Sequence, residues 1–262
     1  LFKSFKVFYP DCYRCPFGKQ PDSCEVYCLK EFEATLKKHH REVCAVVVEP
    51  AVQGAAGMLT APRGFLKRIE TLCRKHNVHL ILDEVATAFG RTGTLFACEQ
   101  EQVTPDFLAL AKGLSGGTLP LAATLTTREV FEAFLGEYTD FKSFFHGHTY
   151  TGNPLACAAA AANLDLFKSE KTLQKLRPKI AFLRQRLADF WQLQHVGDIR
   201  QAGFMVGIEL VKDRASKTAY PAQDRIGHAV VMEARGRGVI LRPLGNVIVL
   251  MPPLSISRAE LK

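Results

Sequence analysis

No apolar run in the 262-residue chain is long enough to span a bilayer, and its first residues lack the architecture of a secretory leader. Internal repeats and low-complexity tracts are missing too, which leaves no sign of a repeat array or a disordered linker. No arginine-rich tract is present. The 34 lysines and arginines are scattered among 26 acidic residues, so the net charge of +8 favours anionic small ligands without marking a nucleic-acid stripe. The remainder is ordinary globular composition, 47% hydrophobic and 23% charged, enough for one large domain and a smaller one. The default expectation is a soluble, cytoplasmic protein, with no membrane and no nucleic acid among its partners.

The chain opens on Leu1 rather than methionine. It closes on "SISRAELK", where Ser257 and Glu260 have capping-box spacing for a helix with almost no residues left. Both ends therefore read as cut from a longer protein. Eight cysteines without a leader suggest reduced thiols. Cys12, Cys15, Cys24 and Cys28 have the spacing C-x2-C-x8-C-x3-C, which admits a four-thiolate zinc site or packed thiols. The loop between the pairs is short for a zinc ribbon, and the expectation is no metal.

Strand and helix signals alternate along the first two thirds. "EVCAVVVEP" (42–50), "VHLILDE", "PDFLALAK" and "LPLAATLTT" read as strands, the first of them buried. Between the first two, "GFLKRIETLCRKHN" puts Phe65, Leu66, Ile69, Leu72 and Cys73 on one helical face. Such alternation implies an α/β fold with a mostly parallel sheet. Asn153-Pro154 caps an alanine-rich helix. Beyond it a long helix over 173–193, the strand "AGFMVGIELV", another helix and two short strands suggest a smaller α+β unit. The expected division is a large domain over 1–168 and a small C-terminal domain over 169–262.

In an open parallel sheet, ligands sit beyond the carboxyl ends of the strands. Three such ends carry charge: Glu49, Asp83 with Glu84, and Lys112 at the close of a buried strand. Asp83 or Lys112 alone reads as a cap or half of an ion pair. Together they are also what a pyridoxal phosphate site requires, a lysine to form a Schiff base and a carboxylate to hold the pyridine nitrogen protonated.

"ILDEVATAFGRTG" (81–93) and "LALAKGLSGG" (108–117) resemble the class III, fold-type-I aminotransferases, and the resemblance covers nearly the whole chain. It implies pyridoxal 5'-phosphate as cofactor, Asp83 as partner of the ring nitrogen, Val85 on the ring face, and Lys112 as the cofactor-bearing and proton-shuttling lysine. Glu49 would lie near the cofactor, and Gly90, Arg91 and Gly93 would form the turn after the strand. Ala88 departs from the family's usual glycine. "HGHTYTGNP" (146–154) matches a family block whose threonine, here Thr149, serves the cofactor phosphate of the second subunit in a homodimer with shared sites, and in which Gly147 would be a substrate-binding residue.

Ala86 stands where ornithine and γ-aminobutyrate transaminases carry glutamine. "GVILRPLGNVIVLMPPL" (238–254), "GGTLPLAATLTTREVFEAF" (116–134) and the Cys12–Cys24 stretch are instead similar to a branch of the family that serves biotin synthesis. That branch implies Arg242 as a carboxylate-binding residue, keto and amino substrates, and S-adenosylmethionine or lysine as amino donor. It also implies that a phosphate-binding glycine–serine loop and a stacking aromatic belong to residues preceding Leu1.

Overall fold

The computed structural model describes residues 3–20 and 23–262. Two sheets organise the chain, each with its own apolar core. The first half contributes α1 (Leu29–His39), β1 (Ala45–Val48), the short pair β2 (Val52–Gln53) and β3 (Leu59–Thr60), α2 (Phe65–His76), β4 (His79–Asp83), β5 (Phe107–Leu110), β6 (Ala123–Thr126) and α3 (Arg128–Glu132). The second contributes α4 (Pro154–Ser169), α5 (Thr172–Leu187), β7 (Val196–Ala202), β8 (Met205–Asp213), β9 (Thr218–Ala219), α6 (Ile226–Gly236), β10 (Arg242–Leu244) and β11 (Val247–Leu250).

The first sheet has the order β1-β4-β5-β6. β1, β4 and β5 are parallel, in register Val47↔Ile81 and Asp83↔Ala109. β6 departs from the expected direction and runs antiparallel to β5. β1 is also less buried than its valine run suggests: at the sheet edge, Val47 is 66% exposed. α2 packs beneath through Phe65, Leu66, Ile69 and Cys73, as its spacing predicts, and ends on left-handed Asn77.

Polar anchors fix the strand ends. The Asp106 carboxylate accepts from the Leu80 amide and from the Arg74 guanidinium. Burial alone would raise its pKa, but these partners outweigh burial and hold it below the ordinary carboxylate range. A depressed pKa stabilises the fold fully above the unfolded value of about 3.9, and that contribution fades as pH falls through the folded value. Asp106→Asn is therefore expected to cost about 1.5–3 kcal/mol at pH 7. Urea unfolding should show the gap between variant and wild type closing below about pH 4; a gap independent of pH would mean that the charge is not its cause.

Glu84 is fully buried and satisfied, accepting from Thr87 Oγ1 and from the amides of Ala97 and Cys98. It ties the loop after β4 back on itself.

The second sheet has the order β10-β11-β8-β7, antiparallel throughout, with β9 on β8. Here the expected single strand proves to be a hairpin: β7 turns at Gly203-Phe204 into β8, with Ala202 paired to Met205. Gly203 is left-handed, and a side chain there would strike the backbone of Arg91 and Thr92. The hairpin tip is seated on the first unit, and the Phe204 amide donates to the Arg91 carbonyl at 2.7 Å. Arg91 Nη1 reaches across to the Pro252 carbonyl. Helix α5 fills the other face of the hairpin with Leu176, Leu183 and Leu187.

Candidate active site

Between the two sheets, beyond the carboxyl ends of β4 and β5, lies a cleft of about 880 Å³. That is room for a cofactor together with a small substrate. One wall is Val85, Ala86, Phe89 and Lys112 from the strand ends; the other is Met205, Arg242, Leu244 and Val249 from the second sheet. Gly54 and Met58 of the β2–β3 turn close one end, beside Glu49.

Lys112 follows β5 by two residues. Ala111 is still extended, then Lys112 turns left-handed with φ 44° and opens a short 3-10 turn, Lys112–Ser115. A non-glycine residue in that region costs about 1 kcal/mol or more and persists only where its surroundings enforce it. The lysine is not buried as its strand context suggests: the turn lifts it out of the sheet and exposes it to the cleft.

Asp83 closes β4 on the adjacent strand, and its Oδ1 accepts from the Val85 amide at 3.1 Å. It lines a smaller adjoining hollow of about 240 Å³, with Glu49 common to both spaces. Glu49, just past β1, accepts from the Gly54 amide at 3.0 Å. Burial pushes its carboxyl above the ordinary range; the Gly54 bond pulls it back, nearby Asp83 raises it again and Lys112 lowers it. Glu49 therefore feels the charges of both neighbouring strand ends, Asp83 and Lys112.

The β2–β3 turn is clamped from the second sheet. Buried Arg200 on β7 donates through Nε to the Met58 carbonyl at 3.2 Å and through Nη2 to the Gly57 carbonyl at 2.8 Å. Its remaining face pairs with Asp198 and Glu209, and Arg14 from the cysteine-rich loop pairs with Glu209 as well. On the opposite side of the cleft, Asn163 of α4 donates to the carbonyls of Gly113 and Leu114. Sequence reasoning singled out neither Arg200 nor Asn163, nor the apolar wall of Met58, Met205 and Val249.

Other expected site residues lie apart. Gly147 and Thr149 are exposed, as is every residue from 141 to 152. The same stretch and its approaches present Tyr138 at 91% and Phe145 at 79% exposure, with Phe131, Phe141, Phe144 and Tyr150 also outward. Arg242 is exposed and lines the cleft, at the start of β10.

Cys12, Cys15, Cys24 and Cys28 border one small hollow beside Phe17 and Tyr27. Burial, then the neighbouring thiols, push Cys12 up to about 11, so it stays protonated at neutral pH. Among the described residues no group of three or more His, Cys, Asp or Glu side chains is placed to hold a metal ion.

The donor set suits pyridoxal phosphate: a cleft-facing primary amine on a constrained turn, a carboxylate fixed on the adjacent strand, and an apolar side chain, Val85, between the two positions in the chain. Among the described residues no helix is long and apolar enough to cross a membrane.

A family model for class-III aminotransferases matches residues 2–262. The adenosylmethionine-8-amino-7-oxononanoate aminotransferase of Nitratidesulfovibrio vulgaris is 58% identical over 262 residues, which are all of this chain and 48% of that protein. The crystal structure of the enzyme of that name from Methanocaldococcus jannaschii matches with a TM-score of 0.88 at 47% identity, covering 90% of this chain and 55% of that one. An (S)-enantioselective omega-transaminase from Thermomicrobium roseum matches with a TM-score of 0.90 at 37% identity, covering 97% and 56%. The chain spans about half the length of the curated relatives it matches.

Proposed function

The chain belongs to the class-III aminotransferases, and on that premise we propose that it is part of a cytoplasmic, homodimeric enzyme of biotin synthesis. That enzyme moves an amino group onto 8-amino-7-oxononanoate to give 7,8-diaminononanoate, with S-adenosyl-L-methionine as donor. The observation that carries the reading is that Lys112, Glu49 and Arg242 line one cleft while Asp83, at the end of β4, lines the adjoining hollow with Glu49. The shared name of curated relatives from three organisms supports this substrate pair.

Bound pyridoxal phosphate supplies a carbonyl carbon that exchanges amines and a ring that withdraws electrons from the substrate α-carbon. Lys112 would hold that cofactor through Nζ, and the same amine would serve as the base that carries the α-carbon proton. Asp83 would present a fixed negative charge to the ring nitrogen, so that positive charge is favoured there without reorganisation of the site. Val85 would pack on the ring face. Glu49 holds its carboxyl close to both charges. Arg242, with its planar fork, takes the substrate carboxylate. The wall of Met58, Met205 and Val249 would face the apolar part of the substrate.

Thr149 would serve the cofactor phosphate of the second subunit, for which a hydroxyl and a backbone amide suffice, and Gly147 would contact substrate. The exposed aromatics around them support this arrangement, because a contiguous apolar surface of this kind is a typical subunit contact. In this division residues 1–168 belong to the cofactor domain and 169–262 to the small domain, with the four cysteines as metal-free packed thiols.

The test is product formation by the full-length protein with pyridoxal phosphate, 8-amino-7-oxononanoate and S-adenosyl-L-methionine. Formation of 7,8-diaminononanoate is expected. Turnover with an amine and pyruvate but not with this pair would move the protein to the omega-transaminases, whose solved structures have equally similar backbones.

A further inference from the structure

The turn that carries Lys112 is held by three contacts that no strand or helix ladder provides. Asn163 uses both hydrogens of its amide, Nδ2 reaching the Gly113 carbonyl at 2.8 Å and the Leu114 carbonyl at 3.0 Å. Gly113 rests against the ring of Phe89, where a side chain on the glycine would come within 2.8 Å of Phe89 Cβ. Phe89 is itself left-handed, with φ 54°, and its amide donates to the Leu95 carbonyl. Lys112 precedes the clamped carbonyls and, like Phe89, has a left-handed backbone.

The side chain of Asn163 also breaks a pattern. Ala156, Ala160 and Asn163 follow one another at helical spacing, and the two alanines are buried. A third small residue would continue that packing. An amide there costs desolvation unless it is fully bonded, and both of its donors are spent on one turn.

We propose that Asn163 is a positioning residue for Lys112, clamping the Gly113–Leu114 carbonyls so that the left-handed turn keeps the amine aimed into the cleft. Asn163 borders the same cleft, but with both amide hydrogens spent on backbone carbonyls it acts through the turn. The proposal rests on Lys112 being the residue that bears pyridoxal phosphate.

The experiment compares full-length wild type with Asn163→Leu, which removes both donors while favouring the helix, and Asn163→Gln, which keeps them on a longer arm. Three quantities are read: thermal midpoint, steady-state kcat and KM, and the rate at which pyridoxal phosphate, fixed by borohydride, labels Lys112. Displacement of a reacting group by about 1 Å costs on the order of 10²-fold. The expected result for Asn163→Leu is a fall in labelling rate and kcat of about 10- to 100-fold at nearly unchanged KM and thermal midpoint. Asn163→Gln should recover part of the loss. A lower midpoint with unchanged labelling per folded molecule would overturn the proposal and leave Asn163 as helix packing, and so would no change in any quantity. Should Asn163→Leu not fold, Asn163→Ser carries the same expectation. Wild type that turns over but is labelled elsewhere than Lys112 sinks the positioning role alone; wild type that neither labels nor turns over sinks the aminotransferase reading with it.

Discussion

Lys112→Ala in the full-length protein abolishes transamination, with kcat falling by about 10⁴-fold, while stability stays within about 0.5 kcal/mol of wild type. The large kinetic effect follows from two tasks resting on one amine, holding the cofactor and carrying the proton. The small stability effect follows from exposure: the side chain stands in the cleft, outside the core. Steady-state rates and a urea titration give both numbers. Borohydride treatment after incubation with pyridoxal phosphate should tag the peptide containing Lys112 in wild type and leave the variant untagged. An added small amine that restores part of the rate would identify the proton-carrying task as the larger share. A variant retaining more than about 1% of the wild-type rate would place the essential amine elsewhere.

Asp83→Asn has the next largest expected effect, a fall in kcat of about 10²- to 10³-fold, the usual range for losing one preorganised electrostatic partner. Asparagine keeps the shape and the bond from the Val85 amide, so the fold has no reason to change. What is lost is the negative charge. Asp83→Glu keeps the charge but displaces it by a methylene from a strand that cannot follow, and should fall between the two. The Glu49 carboxyl reports on the same substitution: Asp83 raises its pKa, so removing that charge lowers it. A loss confined to KM, with kcat intact, would assign Asp83 to substrate binding and refute its role at the ring nitrogen.

The strand ends were legible because each apolar run stops on a charge. Glu49 lies one residue past β1, Asp83 closes β4, and Lys112 follows β5 by two. A polar residue at the end of such a run has few places to go other than a ligand site or an ion pair. Direction and exposure were not legible in the same way. "LPLAATLTT" makes a strand in either sense, and only the packing of β6 beside β5 sets it antiparallel. The valines of β1 read as buried on both faces, yet burial depends on neighbours across the sheet, and β1 lies at its edge. β7 was hidden by its own alternation, since the side chain that is deeply buried at its centre is Arg200. A buried arginine looks like a surface residue until its partners are known, and Asp198, Glu209, Gly57 and Met58 lie far apart in the chain or within a turn. Asn163 left a fainter trace, an amide at the spacing where Ala156 and Ala160 predict another small residue.

The Arg200 clamp also bears on the timing of synthesis. Its bonds to Met58 and Gly57 join residues 142 and 143 positions apart. At about 5–20 residues per second on the ribosome, the β2–β3 turn waits roughly 7–30 s for its partner to be made. During that interval α1, α2 and the parallel strands can assemble from local contacts, while one end of the cleft lacks its brace. Codon usage or chaperone supply over residues 60–200 therefore bears on how much of the nascent chain acquires a finished cleft, independently of how stable the finished protein is.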